Sequence, residues 1–499
     1  MSGLLIAGTT SDAGKSVLTT GLCRAFARRG LSVAPYKAQN MSNNSMVCAE
    51  GDRSVEIGSA RFAEIGRAQW VQALAAKVRP EPAMNPVLLK PGSDRRSHVV
   101  VMGQPAGEVS ATDFATGRRH LATAAHAAFD DLAGRFDIVL AEGAGSPAEI
   151  NLRSSDYVNM GLARHADLPV VVVGDIDRGG LFAAMYGTLA LLEPEDQALI
   201  AGFVVNKFRG DLGLLEPGLR SLEGLTGRPV HGVLPWNPQL WLDSEDALDL
   251  EGRRSGSEAK ARVAVVRLPR ISNFTDVDAL GLEPDLDVTF ASDPRDLADA
   301  DLVVLPGTRA TISDLAWLRA RGLDQAIVRH VRAGRPLLGI CGGFQMLGSQ
   351  IVDRDGVEGD AGAAVAGLGL LPITTEFAAE KVLRLPAGVA LGAETAGYEI
   401  HHGRITRSEG AEEFLGGARD GDVFGTMWHG SLESDAFRRA FLHVTLGIAP
   451  STVSFPAARE RRMELLAGLV EEHLDVDALL ALAQRGAPSG LPILHGRER

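Results

Sequence analysis

Apolar positions along this chain follow two alternating patterns. Short runs such as Leu4-Leu5-Ile6-Ala7 and Val170-Val171-Val172-Val173 show little polar alternation. Such runs are expected of parallel strands covered on both faces. Longer stretches carry apolar residues three and four apart. In Ser16–Arg29, Leu18, Leu22, Ala25 and Phe26 share a helical face, and Gly30 stands where a C-cap glycine would. The pattern predicts strands at Gly3–Gly8, Leu31–Tyr36, Phe136–Ala141, Pro169–Gly174, Ala201–Asn206 and Val230–Leu234. A polar, glycine- and serine-containing stretch, Glu251–Lys260, reads as a linker. Strands resume at Arg262–Leu268, Leu286–Ala291, Asp301–Pro306, Pro336–Cys341 and Val423–Trp428, with helical spacing through Ile312–Ala333. A last helical piece, Arg459–Arg485, is expected to pack on the second domain. The expected fold class is α/β: two doubly wound, mostly parallel-sheet, three-layer domains with C-terminal helices. The expected division is a first domain over 1–250, a linker over 251–261, a second domain over 262–445 and a helical extension over 446–499.

Bulk properties narrow the function. A chain of 499 residues is too long for one ordinary core. Its 57 glycines and 5% aromatics suit folds with many tight strand–helix turns. Three cysteines, Cys23, Cys48 and Cys341, cannot build a disulfide framework and fit a reducing cytosol, so a cytoplasmic location is expected. No membrane span and no signal peptide are read. The net charge of −13 argues against nucleic acid as a partner. Whether the chain forms a homo-oligomer stays open.

Two segments carry chemistry. Gly8-Thr9-Thr10-Ser11-Asp12-Ala13-Gly14-Lys15-Ser16 joins the first strand to the first helix. It has one residue more between its glycines than the standard phosphate loop. The backbone N–H groups of Gly8, Thr10, Ser11, Asp12, Ala13 and Gly14 would surround phosphate oxygens. Lys15 would reach the β- and γ-phosphates of ATP, and the Ser16 hydroxyl would ligate Mg²⁺. Glu142, at a strand's carboxyl end beside two glycines, is placed to reach the metal. Asn206 and Lys207 open a candidate base-contacting loop.

In the second domain, Gly339-Ile340-Cys341-Gly342-Gly343 bends a strand into a helix and holds the cysteine proud of the sheet. The following helix points its amino end at the sulfur, which favours the thiolate. His429, at the end of the Val423–Trp428 strand, is the candidate base, and Gly307 and Gly342 are candidate oxyanion-hole donors.

These residues resemble the class I (triad) glutamine amidotransferases over about 262–445. That family normally follows its histidine with His-x-Glu; here the position is Ser431, and Glu433 is the alternative. The amino-terminal half resembles dethiobiotin synthetase-like ATPases through Gly8–Ser16, Glu142-Gly143-Ala144-Gly145 and Asn85–Pro91. With Gly397-Tyr398-Glu399-Ile400-His401-His402-Gly403, the fusion is similar to the cobalamin-pathway amidotransferases. Lys37–Ser45, Glu64–Gln69 and Gly174–Gly180 favour the branch that amidates the b, d, e and g carboxylates of adenosylcobyrinic acid a,c-diamide over the sister a,c branch. The resemblance implies ATP, Mg²⁺, L-glutamine and a corrinoid polycarboxylate as ligands. It also implies that Lys37, Gln39, Asn40, Ser42, Asn43, Asp175 and Asp177 meet the corrinoid, with Glu64 a further metal ligand. An insertion, Gly51–Ala63, departs from the usual spacing. The basic segment Lys90–Arg96 reads as a solvated loop, with contact to substrate carboxylates as the alternative. Two other classes stay in view: a partitioning or maturation ATPase, whose early loop lysine is replaced here by Thr9-Thr10, and a non-catalytic sensor with a degenerate glutaminase.

Overall fold

The structure is a computed structural model that describes residues 2–49, 62–91, 96–110, 119–238, 240 and 259–494. Most of the Gly51–Ala63 insertion, the centre of Lys90–Arg96 and most of the expected linker lie outside the described residues.

The first domain is built on six strands in the order Val230–Pro235, Ile200–Phe208, Val170–Asp175, Gly3–Gly8, Ile138–Glu142, Val33–Tyr36, all parallel. Every residue of Gly3–Gly8, Ile138–Glu142 and Val170–Asp175 is buried, as their unbroken apolar runs require. Gly3–Gly8 lies centrally, so the loop that follows it opens at the middle of the sheet's carboxyl edge, where ligands of such folds bind.

An additional layer, not foreseen in the sequence, emerges from this domain. Gln39–Met41, Val87–Pro91, Arg96–Val101 and Gln104–Ser110 form a small mixed sheet, and Ser45–Ala49 pairs with Phe62–Gly66 as a hairpin. The hairpin packs against the second domain through the strands Ile373–Arg384 and Glu399–Arg407. Tyr398 and Ile400 of the second domain join the first domain's core, so the junction is apolar as well as polar.

The main sheet of the second domain has seven strands in the order Leu286–Ala291, Ala261–Val266, Leu302–Leu305, Leu337–Ile340, Val423–Thr426, Gly417–Asp420, Glu412–Phe414. The first five are parallel and the last two antiparallel. A separate four-stranded sheet, including Ile373–Arg384 and Glu399–Arg407, covers the active edge.

Two expectations are corrected. Ile312–Ala333 is two helices, Thr311–Ala320 and Leu323–Arg332, parted at Gly322, whose φ of 71° is left-handed. The C-terminal helices, Phe455–His473 and Val476–Arg485, pack chiefly on the first domain, with Phe455 and Arg459 at the start of the first helix also meeting the second. Met463, Leu466, Val470 and Leu479 bury against Leu4, Leu18, Leu22 and Phe26 of the first strand and the phosphate-loop helix. Arg24, fully buried on that helix, pairs with Glu460 and Glu464. Helical spacing shows that a helix has an apolar face but not which domain covers it.

Candidate active sites

The phosphate loop runs from strand Gly3–Gly8 through a short 3₁₀ turn, Ser11–Ala13, into the helix Lys15–Arg28. Gly14 has φ 103°, and a Cβ there would fall 1.8 Å from Asn206 Nδ2. Only glycine fits such a position. Asn206 Nδ2 donates to Ala13 O at 3.0 Å, and Lys207 Nζ donates to Asp12 O at 3.0 Å, so both brace the loop. Lys15 Nζ donates to Thr10 O at 2.8 Å, Ser11 O at 3.0 Å and Gly145 O at 3.1 Å. The ammonium is thus folded over the loop's own carbonyls, on the side where phosphates would lie.

Ser16 Oγ donates to Glu142 Oε1 at 2.9 Å, and Lys37 Nζ (2.9 Å) and Gln72 Nε2 (2.6 Å) donate to the same carboxylate. Burial works against the charge on Glu142, but Lys37 and Gln72 outweigh it and hold the group below its ordinary value. The adjacent hydroxyl and carboxylate fit Mg²⁺, which takes oxygen ligands and usually draws only one or two from protein beside phosphates and water.

Of the residues singled out for the corrinoid, Lys37 is brought to this cluster. Gln39 Oε1 accepts from Tyr157 OH at 2.6 Å, Asn40 Nδ2 donates to Gln69 Oε1 at 3.0 Å, and Ser42 Oγ accepts from Asn44 N at 3.0 Å. Asn43 Oδ1 is buried without a hydrogen-bond partner among the described residues. Asp175 accepts from Lys207 Nζ at 2.8 Å, and Asp177 lies 3.3 Å from Arg209 Nε. Glu64 is not brought to Ser16 and Glu142. Its carboxylate is fully buried at the domain junction, bound by Lys90, Lys381 and Ser45 Oγ, so its assignment as a metal ligand is corrected.

In the second domain, strand Leu337–Ile340 turns at Cys341, φ 49° and ψ −110°, into helix Gly342–Leu347. A non-glycine residue in this region is strained and is held only by its surroundings. Gly343 makes the turn possible, because a Cβ there would lie 2.0 Å from Leu305 O. Cys341 is 6% exposed.

His429 lies close enough to the Cys341 sulfur to feel its charge. Its Nδ1 lies 2.7 Å from Asp276 Oδ2, and Asp276 Oδ1 accepts from Gly430 N at 2.8 Å. Burial disfavours the imidazolium, but the Asp276 carboxylate and the Cys341 sulfur outweigh it and push His429 up to about 10. The arrangement sets an imidazole beside the Cys341 sulfur and orients it by the Asp276 carboxylate. Tyr398 stacks on the imidazole at 5.2 Å and pairs with His429 through two backbone hydrogen bonds. A Cβ on Gly307 would lie 3.0 Å from His429 Cε1, and one on Gly342 would lie 3.1 Å from Thr308 N, so the two glycines border this centre.

Asp276 is the residue sequence reasoning missed. Glu433, weighed instead, forms a clasp with Arg67 at 2.9 Å and Arg459 at 2.8 Å. A signal was available: Ser272-Asn273-Phe274-Thr275-Asp276 places polar residues just beyond the carboxyl end of a buried strand, where sites gather.

A phosphate loop with a metal-competent carboxylate, fused to a Cys–His–Asp centre, defines an ATP-linked enzyme of acyl and amide transfer. Comparison agrees: residues 4–249 match the CobQ/CobB/MinD/ParA nucleotide binding domain, and residues 262–437 match the CobB/CobQ-like glutamine amidotransferase domain. Proteins named cobyric acid synthase from Mycolicibacterium gilvum (strain PYR-GCK) and Mycobacterium ulcerans (strain Agy99) are each 72% identical over 494 residues, covering 99% of both chains. One from Mycobacterium tuberculosis (strain ATCC 25177 / H37Ra) is 71% identical over 496 residues, with the same coverage. The chain belongs to the cobyric acid synthase family, and it is a glutamine-dependent amidotransferase.

Proposed function

We propose that this enzyme amidates the b, d, e and g carboxylates of adenosylcobyrinic acid a,c-diamide, using ATP and glutamine. One observation carries the reading: His429 lies between Cys341 and Asp276 in a domain packed directly on a phosphate-loop domain. The Cys341 thiolate attacks the glutamine side-chain carbonyl. The oxyanion faces the N–H groups of Gly307 and Gly342, His429 gives its proton to the departing ammonia, and water then releases glutamate from the thioester. Asp276 keeps the imidazole aligned.

In the first domain, Lys15 leaves its loop carbonyls to pair with the β/γ-phosphates of ATP. Ser16 and Glu142 would hold Mg²⁺, which when bound neutralises charge on those phosphates. The corrinoid carboxylate attacks the γ-phosphate and ADP leaves. Ammonia then displaces phosphate from the acyl phosphate, which has the leaving group an ionised carboxylate lacks. Lys37, Gln39, Asn40, Ser42, Asn43, Asp175 and Asp177 are the proposed corrinoid contacts. A cytoplasmic location is part of the proposal; among the described residues no helix is long and apolar enough to cross a membrane.

The test is mass spectrometry after incubation with ATP, Mg²⁺, glutamine and cobyrinic acid a,c-diamide. Four successive losses of about one mass unit, as OH becomes NH₂, are expected. An unmodified corrinoid, or product amidated at other positions, refutes the assignment. Labelled glutamine with excess unlabelled ammonium tests channelling between the sites: retention of label supports a sheltered path, and extensive dilution argues against it.

A further inference from the structure

The amide end of glutamine reacts at Cys341. Its other end carries an α-carboxylate and an α-ammonium, and a glutaminase that tells free glutamine from other amides must meet both charges. The cavity at Cys341 is tight, with about 30 Å³ of free space, so a substrate has to part side chains to enter.

Three cations line this cavity: Lys90, Lys381 and Arg309. The first two are committed to Glu64. Arg309 differs. Its side chain is only 11% exposed, yet among the described residues its one ionic partner is Glu358 Oε1 at 3.7 Å, and its guanidinium makes no hydrogen bond. Its guanidinium borders the cavity, and the planar fork matches a carboxylate.

Glu358 is the counterpart. Its side chain is 7% exposed, and Oε2 accepts the Thr311 backbone N–H at 2.9 Å. Burial, opposed by Arg309, pushes the carboxyl up to about 7, as expected of a carboxylate lacking a close cation. Thr311 Oγ1 also donates to Gln345 Oε1 at 3.3 Å, and Gln345 follows Cys341 by one helical turn, so the pair belongs to the nucleophile's own cavity.

We propose that Arg309 and Glu358 are the clamp for the amino-acid head of glutamine. Arg309 takes the α-carboxylate, Glu358 takes the α-ammonium, and their loose pair opens to admit both. The inference rests on the glutaminase reading of Cys341.

The test uses the full-length chain and glutamine hydrolysis. Arg309→Met and Glu358→Gln are each expected to raise KM for glutamine about 10- to 100-fold, the worth of a charge-assisted hydrogen bond, with little change in kcat. Specificity separates the roles. Glu358→Gln should relax discrimination against N-acetylglutamine, which lacks the ammonium. Arg309→Met should relax discrimination against glutamine α-amide, which lacks the carboxylate, and Arg309→Lys should recover part of the loss. Alkylation of Cys341 by iodoacetamide, which has no amino-acid head, reports whether each variant keeps its nucleophile intact. Unchanged KM and unchanged discrimination in variants that still alkylate would overturn the clamp. Hydrolysis surviving Cys341→Ala would instead overturn the glutaminase reading.

Discussion

Two strand-to-helix junctions, one in each domain, carry the chemistry, and they differ mainly in length. In the first domain a loop over Thr9–Gly14 separates strand Gly3–Gly8 from helix Lys15–Arg28. In the second, the single residue Cys341 separates strand Leu337–Ile340 from helix Gly342–Leu347. The longer turn spreads backbone N–H groups into a cradle and holds Lys15 against its own carbonyls, a geometry that phosphate oxygens would complete. The shorter turn presents one side chain, set beside a His429 that Asp276 already holds. A covalent nucleophile reacts faster when it is aligned before the substrate arrives, whereas a phosphate site lets its ligand supply the missing charges.

The sharpest way to break this comparison is to remove the sulfur. Cys341→Ala is expected to lower glutamine-dependent amidation at least about 10⁴-fold, as loss of a covalent nucleophile does elsewhere. Amidation driven by free ammonium should persist, and its disappearance in an assay of product would show that the two junctions are not separable.

Lys15→Ala should reverse the pattern. ATP-dependent amidation is expected to fall about 10²- to 10³-fold, in line with loss of a transition-state donor. Glutamine hydrolysis assayed alone should continue; an equal fall would mean that the loop controls the distant thiol.

Asp276→Asn should lower glutamine hydrolysis about 10²-fold or more by removing the group that orients His429. It should also change the pH response. His429 titrates higher in the folded protein than its ordinary 6.5. The stability this contributes is therefore complete below about pH 6.5 and is lost as pH climbs through about 10. Thermal midpoints of the wild type should fall across that window. The variant, lacking the carboxylate, should show a smaller decline.

The smallest effects concern stability. Gly14→Ala forces a side chain onto a φ of 103° and into Asn206. It is expected to cost about 1–3 kcal/mol in denaturant unfolding and to weaken ATP binding. Leu466→Ala, in the helix that covers the phosphate-loop helix, should cost about 2–5 kcal/mol by opening a cavity. Were the C-terminal helices unimportant to the first domain, that variant would bind ATP and unfold as the wild type does.

Local pattern and tertiary placement contributed differently to what is now visible. Strand Gly3–Gly8 occurs at the residues its apolar run predicts, because a run buried on both faces is a strong local signal. The phosphate loop and the cysteine elbow are likewise short, contiguous and glycine-dependent, so their chemistry could be read residue by residue. Asp276 could not be read this way, since it stands 153 positions from the histidine it orients. Glu64 misled for the same reason: a lone carboxylate in sequence carries no mark of whether a metal or two lysines will meet it. The C-terminal helices had an apolar face but no label for the domain that covers it, and the Arg309–Glu358 pair joins loops that no spacing rule connects. Contiguous motifs are set by backbone geometry within a few residues, and the sequence alone determines them. Charge partners and covered faces depend on which surfaces meet after folding, and only the tertiary structure decides them.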